Sequence, residues 1–218
     1  MNNKARARSD LELIEITNGV ERVVHWLFAT SFILLFITGF GMMFQSFSFI
    51  PALFGGYEWM KIFHNYSGLV FCISTLFAFL VWFKDGFIFT NNDIIWLKKG
   101  GGYLWDVNDV PDAGRFNAGQ KLYFILKVLS GAIMSITGFM MWFPITLGLP
   151  RVMVLFCYPL HVLGVVILSG TVVVHIFMGT ANPGTVQAML TGKVIRAWVR
   201  LQHGAWLKEH DRQQGRDY

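Results

Sequence analysis

Charged residues are scarce in this sequence. Only 14% of its 218 residues are Asp, Glu, Lys or Arg, whereas a soluble domain carries about 25%. Hydrophobic residues make up 54% of the chain and aromatic residues 16%, which is typical of a protein that spans a bilayer. The formal net charge of +5 comes from basic residues between apolar runs. Membrane topology therefore explains this charge, and we expect no nucleic-acid partner.

Cysteine is also scarce, with Cys72 and Cys157 each inside an apolar run. The sequence has no C-x-x-C pair, so we do not expect a thiolate metal site. It has no C-x-x-C-H motif either, which excludes the usual covalent attachment of haem. We expect both cysteines to act as small apolar side chains in helix cores.

Four stretches lack charge for long enough to cross a bilayer, which takes about 20 helical residues. The apolar runs are continuous rather than alternating, so they predict helices and not barrel strands. The fold class is therefore an all-α membrane protein, a bundle of four transmembrane helices. The run from Val23 lacks a clear small-residue cleavage site, so we expect a retained span and not a signal peptide. The predicted spans are 22–44, 62–83, 120–143 and 152–178.

The flanking segments complete the predicted domain organisation. Residues 1–21 form an N-terminal segment, 22–178 the membrane domain, and 179–218 an amphipathic tail that binds the membrane surface. The long loop 84–119, between spans two and three, is expected to contain short interfacial helices. His203 and His210 lie in the polar tail, where we expect solvated imidazoles.

The distribution of basic residues orients the bundle. Most of them precede span one, lie in the loop 84–119 or follow span four, whereas the other two loops contain only Lys61 and Arg151. Cytoplasmic loops carry an excess of Lys and Arg. We therefore predict that both termini and the loop 84–119 are cytoplasmic.

A weak internal repeat connects the two halves of the membrane domain. ITGFGMMF at 37–44 resembles ITGFMMWF at 136–143, at an offset of 99 residues, and HNYSGLV at 64–70 resembles HVLGVV at 161–166, at an offset of 97. The repeat indicates two related helix pairs, although short apolar matches also arise by chance.

Four of the six histidines lie in the predicted spans, where an ionisable side chain is costly and usually functional. The orientation puts two of them in the outer half of the membrane and two near the cytoplasmic face. His161 and His175 are fourteen residues apart, which is about 21 Å of helix and within about 40° of one face. The four histidines therefore form two pairs at two depths. The outer pair is His64 with His161, and the inner pair is His25 with His175.

Two stacked histidine pairs favour two b haems. Two axial imidazoles make a six-coordinate electron-transfer iron with no open position. Gly68 and Gly164, each within about a turn of a histidine, would leave room for the porphyrin. Zinc is disfavoured because no cysteine or carboxylate lies near the histidines in the sequence. The alternative from another class is a haem-free proton or solute transporter that uses the histidines as proton relays.

Several longer motifs match a known family. They are ERVVHW (21–26), FHNYSG (63–68), GRFNAGQK (114–121), LHVLG (160–164), VHIFMG (174–179) and GKVIRAWVRLQHGAWLKEH (192–210). With these motifs the chain resembles, over roughly residues 20–209, the cytochrome b (gamma) subunit of membrane-bound respiratory formate dehydrogenases. Related di-haem subunits serve hydrogenases and other molybdopterin oxidoreductases, which stay open as alternatives.

The resemblance implies the same ligand pairing that depth alone indicates, with His64 and His161 on the outer haem and His25 and His175 on the inner haem. It implies a multi-pass protein of the bacterial inner membrane, in contact with lipid. Its partners would be an iron–sulfur subunit and a molybdopterin or tungstopterin catalytic subunit. The chain itself would be the quinone-reducing electron-transfer subunit and would contain no substrate-oxidising site.

The resemblance also implies a quinone site beside the inner haem. Asn117, Gly119 and Gln120 would bind menaquinone or ubiquinone there, whereas the residues alone predict only a polar helix start. Lys127 departs from the family pattern. We expect it to snorkel to the cytoplasmic interface, with a haem propionate or the quinone pocket as alternative partners.

Overall fold

The computed structural model describes residues 10–102 and 109–216. The basic residues Lys4, Arg6 and Arg8, which contribute to the predicted orientation, lie outside this range. The chain divides into two compact units. Unit 1 comprises the described residues of Met1–Arg22, Trp82–Ile125 and His175–Tyr218, and unit 2 comprises Val23–Val81 and Leu126–Val174.

The described elements are almost entirely helical. In chain order they are β1 (Leu13–Glu15), α1 (Gly19–Met43), α2 (Ile50–Leu53), α3 (Tyr57–Phe87), α4 (Asn91–Lys98), α5 (Ala118–Trp142), α6 (Arg151–Ala181), α7 (Thr185–Thr191), β2 (Lys193–Ile195), α8 (Arg196–Gln202) and α9 (Gly204–Gln213), with 3₁₀ turns at Gln45–Phe47 and Gly100–Gly102. Within the described ranges, α1, α3, α5 and α6 are long and apolar enough to cross a membrane, which confirms the four predicted membrane helices. The helix α4 lies in the loop 84–119, where a short helix is predicted.

Helix starts in unit 1 are fixed by reciprocal side-chain caps. At α1, Asn18 Oδ1 accepts the backbone N–H of Glu21 (3.0 Å) and Glu21 Oε2 accepts that of Asn18 (2.8 Å). At α4, Thr90 and Asp93 make the same capping box. Each box satisfies two of the backbone donors that a helix leaves free at its N-terminus.

The interior of unit 2 is an aromatic and aliphatic core contributed by all four long helices. Its buried residues are Phe28, Phe32, Leu35, Phe71, Met134 and Leu168. Small residues permit close helix contacts: a Cβ on Gly131 would lie 3.0 Å from Thr75 Cγ2. Large apolar side chains such as Val166 (62% exposed) and Ile136 (61%) point outward. An apolar exterior around an apolar core is what a lipid-facing helix bundle presents.

Unit 1 joins both ends of the chain in a small folded structure. Strands β1 and β2 pair antiparallel, with Leu13 opposite Ile195 and Glu15 opposite Lys193, a pairing that the sequence does not predict. A hydrophobic cluster packs beside them, composed of Ile14, Ile16, Ala188, Val194, Val199 and Leu207 with the partly buried Trp198 and Trp206. The two tryptophans of the predicted amphipathic tail are thus partly buried against this cluster, and binding of the tail to a membrane surface stays a prediction.

Candidate functional site

His64 on α3 and His161 on α6 are both half-buried in unit 2. The two helices that bear them also contribute Phe71 and Leu168 to the core of this unit. The structure thus places in one unit the two histidines that the sequence predicts as the outer pair, and their pairing stays a prediction.

A threonine on the neighbouring helix contacts each of these imidazoles. Thr38 Oγ1 lies 2.8 Å from His64 Nδ1, and the same hydroxyl donates its hydrogen to the carbonyl of Leu34 (2.7 Å). A hydroxyl has one hydrogen to donate and two lone pairs. Since the hydrogen is used within α1, the threonine oxygen accepts from Nδ1–H. With the hydroxyl hydrogen placed on the Leu34 carbonyl, His64 is the Nδ1–H tautomer and has a lone pair on Nε2.

The second half of the chain repeats this arrangement. Thr137 Oγ1 lies 2.9 Å from His161 Nδ1 and donates its hydrogen to the carbonyl of Ile133 (2.6 Å). The two threonines occupy the same position in the repeated ITGF motif. The repeat seen in the sequence is thus also a repeat of side-chain contacts.

The glycine that follows each threonine lies against the same edge of its imidazole. A Cβ on Gly39 would be 3.7 Å from His64 Cε1, and one on Gly138 would be 3.4 Å from His161 Cε1. The sequence points instead to Gly68 and Gly164 as the residues that leave room for a porphyrin. For Gly164 that prediction is wrong, because its Cβ position is 2.8 Å from Met134 Cγ and is filled by helix packing.

The two histidines fit the requirements of a haem iron. In each imidazole, Nδ1 contacts a threonine hydroxyl, so Nε2 is the nitrogen that would ligate an iron. Among the described residues no group of three or more His, Cys, Asp or Glu side chains gathers into a metal site. A porphyrin brings four nitrogen ligands of its own, so a haem here would need only two imidazoles, which His64 and His161 would supply.

The predicted inner ligands belong to different units. His25 lies on α1 in unit 2, half-buried, with its ring edge-on to Trp26 at a centroid distance of 5.0 Å. His175 lies on α6 in unit 1, where it stacks on Tyr123 with ring centroids 4.3 Å apart and an interplanar angle of 8°. The pairing of His25 with His175 stays a prediction.

Asn117 and Gln120 form the capping box of α5. Asn117 Oδ1 accepts the backbone N–H of Gln120, and Gln120 Oε1 accepts that of Asn117, both at 2.8 Å. This is the polar helix start that the residues alone predict. Gly119 lies between them, with its Cβ position 3.1 Å from Trp96 Cη2. In the described part of the chain both side-chain NH₂ groups remain available as donors, and the quinone role stays a prediction.

Unit 1 contains a cavity of about 180 Å³ next to this helix start. Asn117, Trp96, Asp93 and Lys121 are among its lining residues. Lys121 Nζ forms a buried ion pair with Asp93 Oδ2 at 2.7 Å. Burial favours the neutral acid, but hydrogen bonds from Lys121 and Thr90 outweigh it and hold the pKa of the Asp93 carboxyl below its usual value.

Arg115 is a residue whose role the sequence analysis missed. Its guanidinium contacts Glu21 Oε1 at 2.5 Å, Asp85 Oδ2 at 2.8 Å and the carbonyl of Ile16 at 2.8 Å. It therefore ties the N-terminal segment and the end of α3 to the segment that leads into Asn117. Its position inside GRFNAGQK is the signal in the sequence that could have found it.

Two further side chains differ from their predicted environments. His203 is buried at 5% exposure and its Nδ1–H donates to the carbonyl of Gly114 at 3.0 Å, so it is not the solvated imidazole that the polar tail predicts. Burial lowers the pKa of His203 below its usual value. Lys127 is 5% exposed, with Nζ 4.4 Å from the ring centroid of Phe28, so its ammonium group does not snorkel to an exposed position.

The sequence of the chain matches a known protein family. The family model of the prokaryotic cytochrome b561 proteins matches residues 16–192. The cytochrome b556(fdo) subunit of formate dehydrogenase from Escherichia coli (strain K12) is 30% identical over 190 residues, which cover 87% of this chain and 89% of the relative.

Other relatives carry similar names. The nitrate-inducible formate dehydrogenase cytochrome b556(Fdn) subunit of Escherichia coli (strain K12) is 27% identical over 203 residues, covering 92% of this chain and 93% of the relative. The formate dehydrogenase cytochrome b556 subunit of Haemophilus influenzae is 27% identical over 200 residues, covering 86% and 79%. With four membrane-length helices and a match over most of its length, the chain belongs to the prokaryotic cytochrome b561 family, as a relative of the formate dehydrogenase cytochrome b556 subunits.

Proposed function

We propose that this chain is the cytochrome b subunit of a formate dehydrogenase and carries electrons from an iron–sulfur partner across the membrane to a quinone. The observation that carries the proposal is the pair of threonine-bound imidazoles, His64 and His161, in one unit of a four-helix membrane protein. The similarity to formate dehydrogenase cytochrome b556 subunits supports the choice of formate dehydrogenase as the electron donor.

Four histidines would hold the two haems. His64 and His161 would ligate the outer haem b, and His25 and His175 the inner one. Haem b with two imidazole ligands supplies one-electron transfer without an open coordination position. Fourteen residues of α6 separate two of the ligands, so electrons would cross about 20 Å of membrane within this chain.

The N-terminus of α5 would bind the quinone head group on the cytoplasmic side. The NH₂ groups of Asn117 and Gln120 suit a quinone carbonyl oxygen, because their own oxygens are already used in the helix cap. A Cβ at position 119 would crowd Trp96 and the Asn117 oxygen, so Gly119 keeps this helix start compact. The adjoining cavity of about 180 Å³ would admit part of the ring.

The proposed topology makes the reaction electrogenic. With both termini and the loop 84–119 in the cytoplasm, electrons would move inward and the protons for quinone reduction would come from the cytoplasm. Flow in the opposite direction, from quinol to a reductase, would use the same residues.

Haem content tests the ligand assignment. His64→Ala and His25→Ala should each remove one of two haems from the purified complex, as measured by pyridine haemochrome absorbance per chain. His210→Ala is the control, since that imidazole stacks on Trp206 in the tail, and it should keep both haems. A His64→Ala chain that retains two haems would refute the outer pairing, and a colourless wild type would refute the function.

Quinone reduction tests the role of α5. Asn117→Asp and Gln120→Glu keep the capping oxygens but remove the NH₂ donors. Each should slow electron transfer from the reduced complex to a water-soluble quinone analogue while haem content stays at two. Asn18→Asp is the matched control, since it alters the equivalent cap on α1 and should leave the rate unchanged. Equal rates in all variants would contradict this site.

Co-purification identifies the electron donor. An affinity tag on this chain should retain an iron–sulfur subunit and a molybdopterin or tungstopterin subunit that oxidises formate. Retention of a hydrogenase, or of another molybdopterin enzyme inactive with formate, would replace the proposed donor and keep the electron-transfer role.

A further inference from the structure

We propose that Thr38 and Thr137 are positioning residues for the outer haem ligands. Each would hold its imidazole as the Nδ1–H tautomer and fix the ring plane, so that only Nε2 faces the iron. This inference rests on the proposed ligation by His64 and His161 and assigns a task to two residues outside the ligand set.

The hydroxyl geometry carries the inference. Threonine and serine in membrane helices commonly donate to a backbone carbonyl one turn earlier. Several such residues among those described make that bond and form no hydrogen bond with a histidine. In the part of the chain that the structure describes, only Thr38 and Thr137 also accept from a histidine. Back-bonded residues without such a contact are Thr30, Ser31, Ser74, Thr75, Ser130, Thr171 and Thr180.

The adjacent glycines support the same orientation. The Cβ positions of Gly39 and Gly138 lie 3.7 and 3.4 Å from Cε1 of the respective imidazole. The Nδ1–Cε1 edge of each ring therefore lies along the threonine-bearing helix, and Nε2 is directed away from the hydroxyl. Together with the covalent attachment of the ring through Cβ, these two neighbours along one edge fix the ring plane. The threonine–glycine pair thus determines both the protonation and the direction of the ligand.

A hydrogen bond at Nδ1 also affects the iron. Donation from Nδ1–H to an oxygen makes the imidazole more electron-rich and a stronger ligand. A stronger ligand favours the ferric state, so it lowers the reduction potential. The two threonines would therefore hold the outer haem at a lower potential than unbonded histidines would give.

Valine substitutions test this role in the intact complex. Thr38→Val and Thr137→Val keep the side-chain shape and remove the acceptor. Each should raise the midpoint potential of one haem and shift the largest g value of its ferric EPR signal, leaving the other haem unchanged. Loss of that haem alone would also support the role. Thr38→Ser and Thr137→Ser should restore the wild-type potential and EPR signal.

A matched control separates this role from general packing. Thr75→Val removes a buried, back-bonded hydroxyl in unit 2, and it should leave both potentials and both EPR signals unchanged. Wild-type potentials and EPR spectra in both Thr38→Val and Thr137→Val would overturn the inference. Shifts of equal size in Thr75→Val would overturn it as well, because they would indicate a packing effect.

The His64→Ala variant distinguishes failure of the inference from failure of the proposed function. If it loses one haem while the valine variants match the wild type, the ligation stands and the threonine role is refuted. If it keeps both haems, the proposed ligation itself fails, and the threonine role fails with it.

Discussion

The buried ion pair between Lys121 and Asp93 should control how firmly α4 packs in unit 1. Lys121 Nζ lies 2.7 Å from Asp93 Oδ2 and 2.8 Å from the carbonyl of Ile88, and the two charged side chains are 8% and 7% exposed. Lys121→Met keeps most of the side-chain length and removes the charge. Asp93 would then be a buried carboxylate without its cation.

The magnitude follows from what remains at Asp93. Removal of one partner of a buried ion pair costs about 3–5 kcal/mol. The backbone N–H and the hydroxyl of Thr90 still donate to Asp93 Oδ2, both at 2.7 Å, so we expect the lower end, about 3 kcal/mol. That is about a 150-fold increase in the equilibrium for local opening. Asp93→Asn combined with Lys121→Met should cost less than the two single changes together.

Hydrogen exchange of the backbone amides in α4 (Asn91–Lys98) measures this opening in the detergent-solubilised complex. Lys84→Met is the matched control, because it removes an exposed lysine of the same unit, and it should leave the exchange of α4 unchanged. The pKa of Asp93 lies below its usual value, so its stabilisation is present above about pH 4 and is lost as the pH falls further. A coupling energy below about 0.5 kcal/mol in the double-mutant cycle would refute the reasoning.

Two further predictions concern unit 1. Gly86→Ala should lower the thermal midpoint, because its Cβ would lie 2.0 Å from Phe124 Cδ1 and overpacking costs about 1–3 kcal/mol. The control Gly170→Ala in unit 2 should raise the midpoint slightly, because among the described residues its Cβ would meet no atom within 4 Å beyond its own helix backbone and chain neighbours. A Gly86→Ala midpoint at or above the wild-type value would contradict the clash. Burial lowers the pKa of His203, so the buried position of its ring is stable above about pH 6.5 and is destabilised as the pH falls through the lowered value. The protection factors of the amides around residues 109–114, corrected for the intrinsic pH dependence of exchange, should therefore fall on acidification in the wild type but not in His203→Gln. Equal pH dependence in both would show that another group titrates.

The sequence predicts the membrane helices well because their signal is local. An uninterrupted apolar run of about 20 residues needs no knowledge of the rest of the chain, and the depth of each histidine follows from its place in that run. The structure accordingly brings His64 and His161 into one unit. Their contacts with Thr38 and Thr137 could not be predicted in the same way, because a threonine in an apolar helix usually bonds only to its own helix.

In the tail, the apolar side of the helices is easier to predict from the sequence than the residues that pack on it. An amphipathic pattern around Trp198 and Trp206 identifies an apolar side, and a membrane surface is one way to cover it. In the structure, these two tryptophans pack on a cluster that includes Ile14, almost two hundred residues earlier in the chain. That contact depends on the pairing of β1 with β2, and two strands of three residues each are too short to give a reliable alternating pattern.

The threonine–histidine contact occurs once in each half of the membrane domain. In the proposed outer pair, each histidine lies on the second helix of its repeat, and the threonine and glycine beside it lie on the first helix. Two identical copies of one helical hairpin would therefore contain every residue that this site needs. The inner pair lacks this symmetry. At the observed offsets the counterpart of His25 is Phe124, and that of His175 is Ala78. With the proposed ligation, two identical hairpins would therefore support one redox centre, and a second centre would require the two halves of the chain to differ.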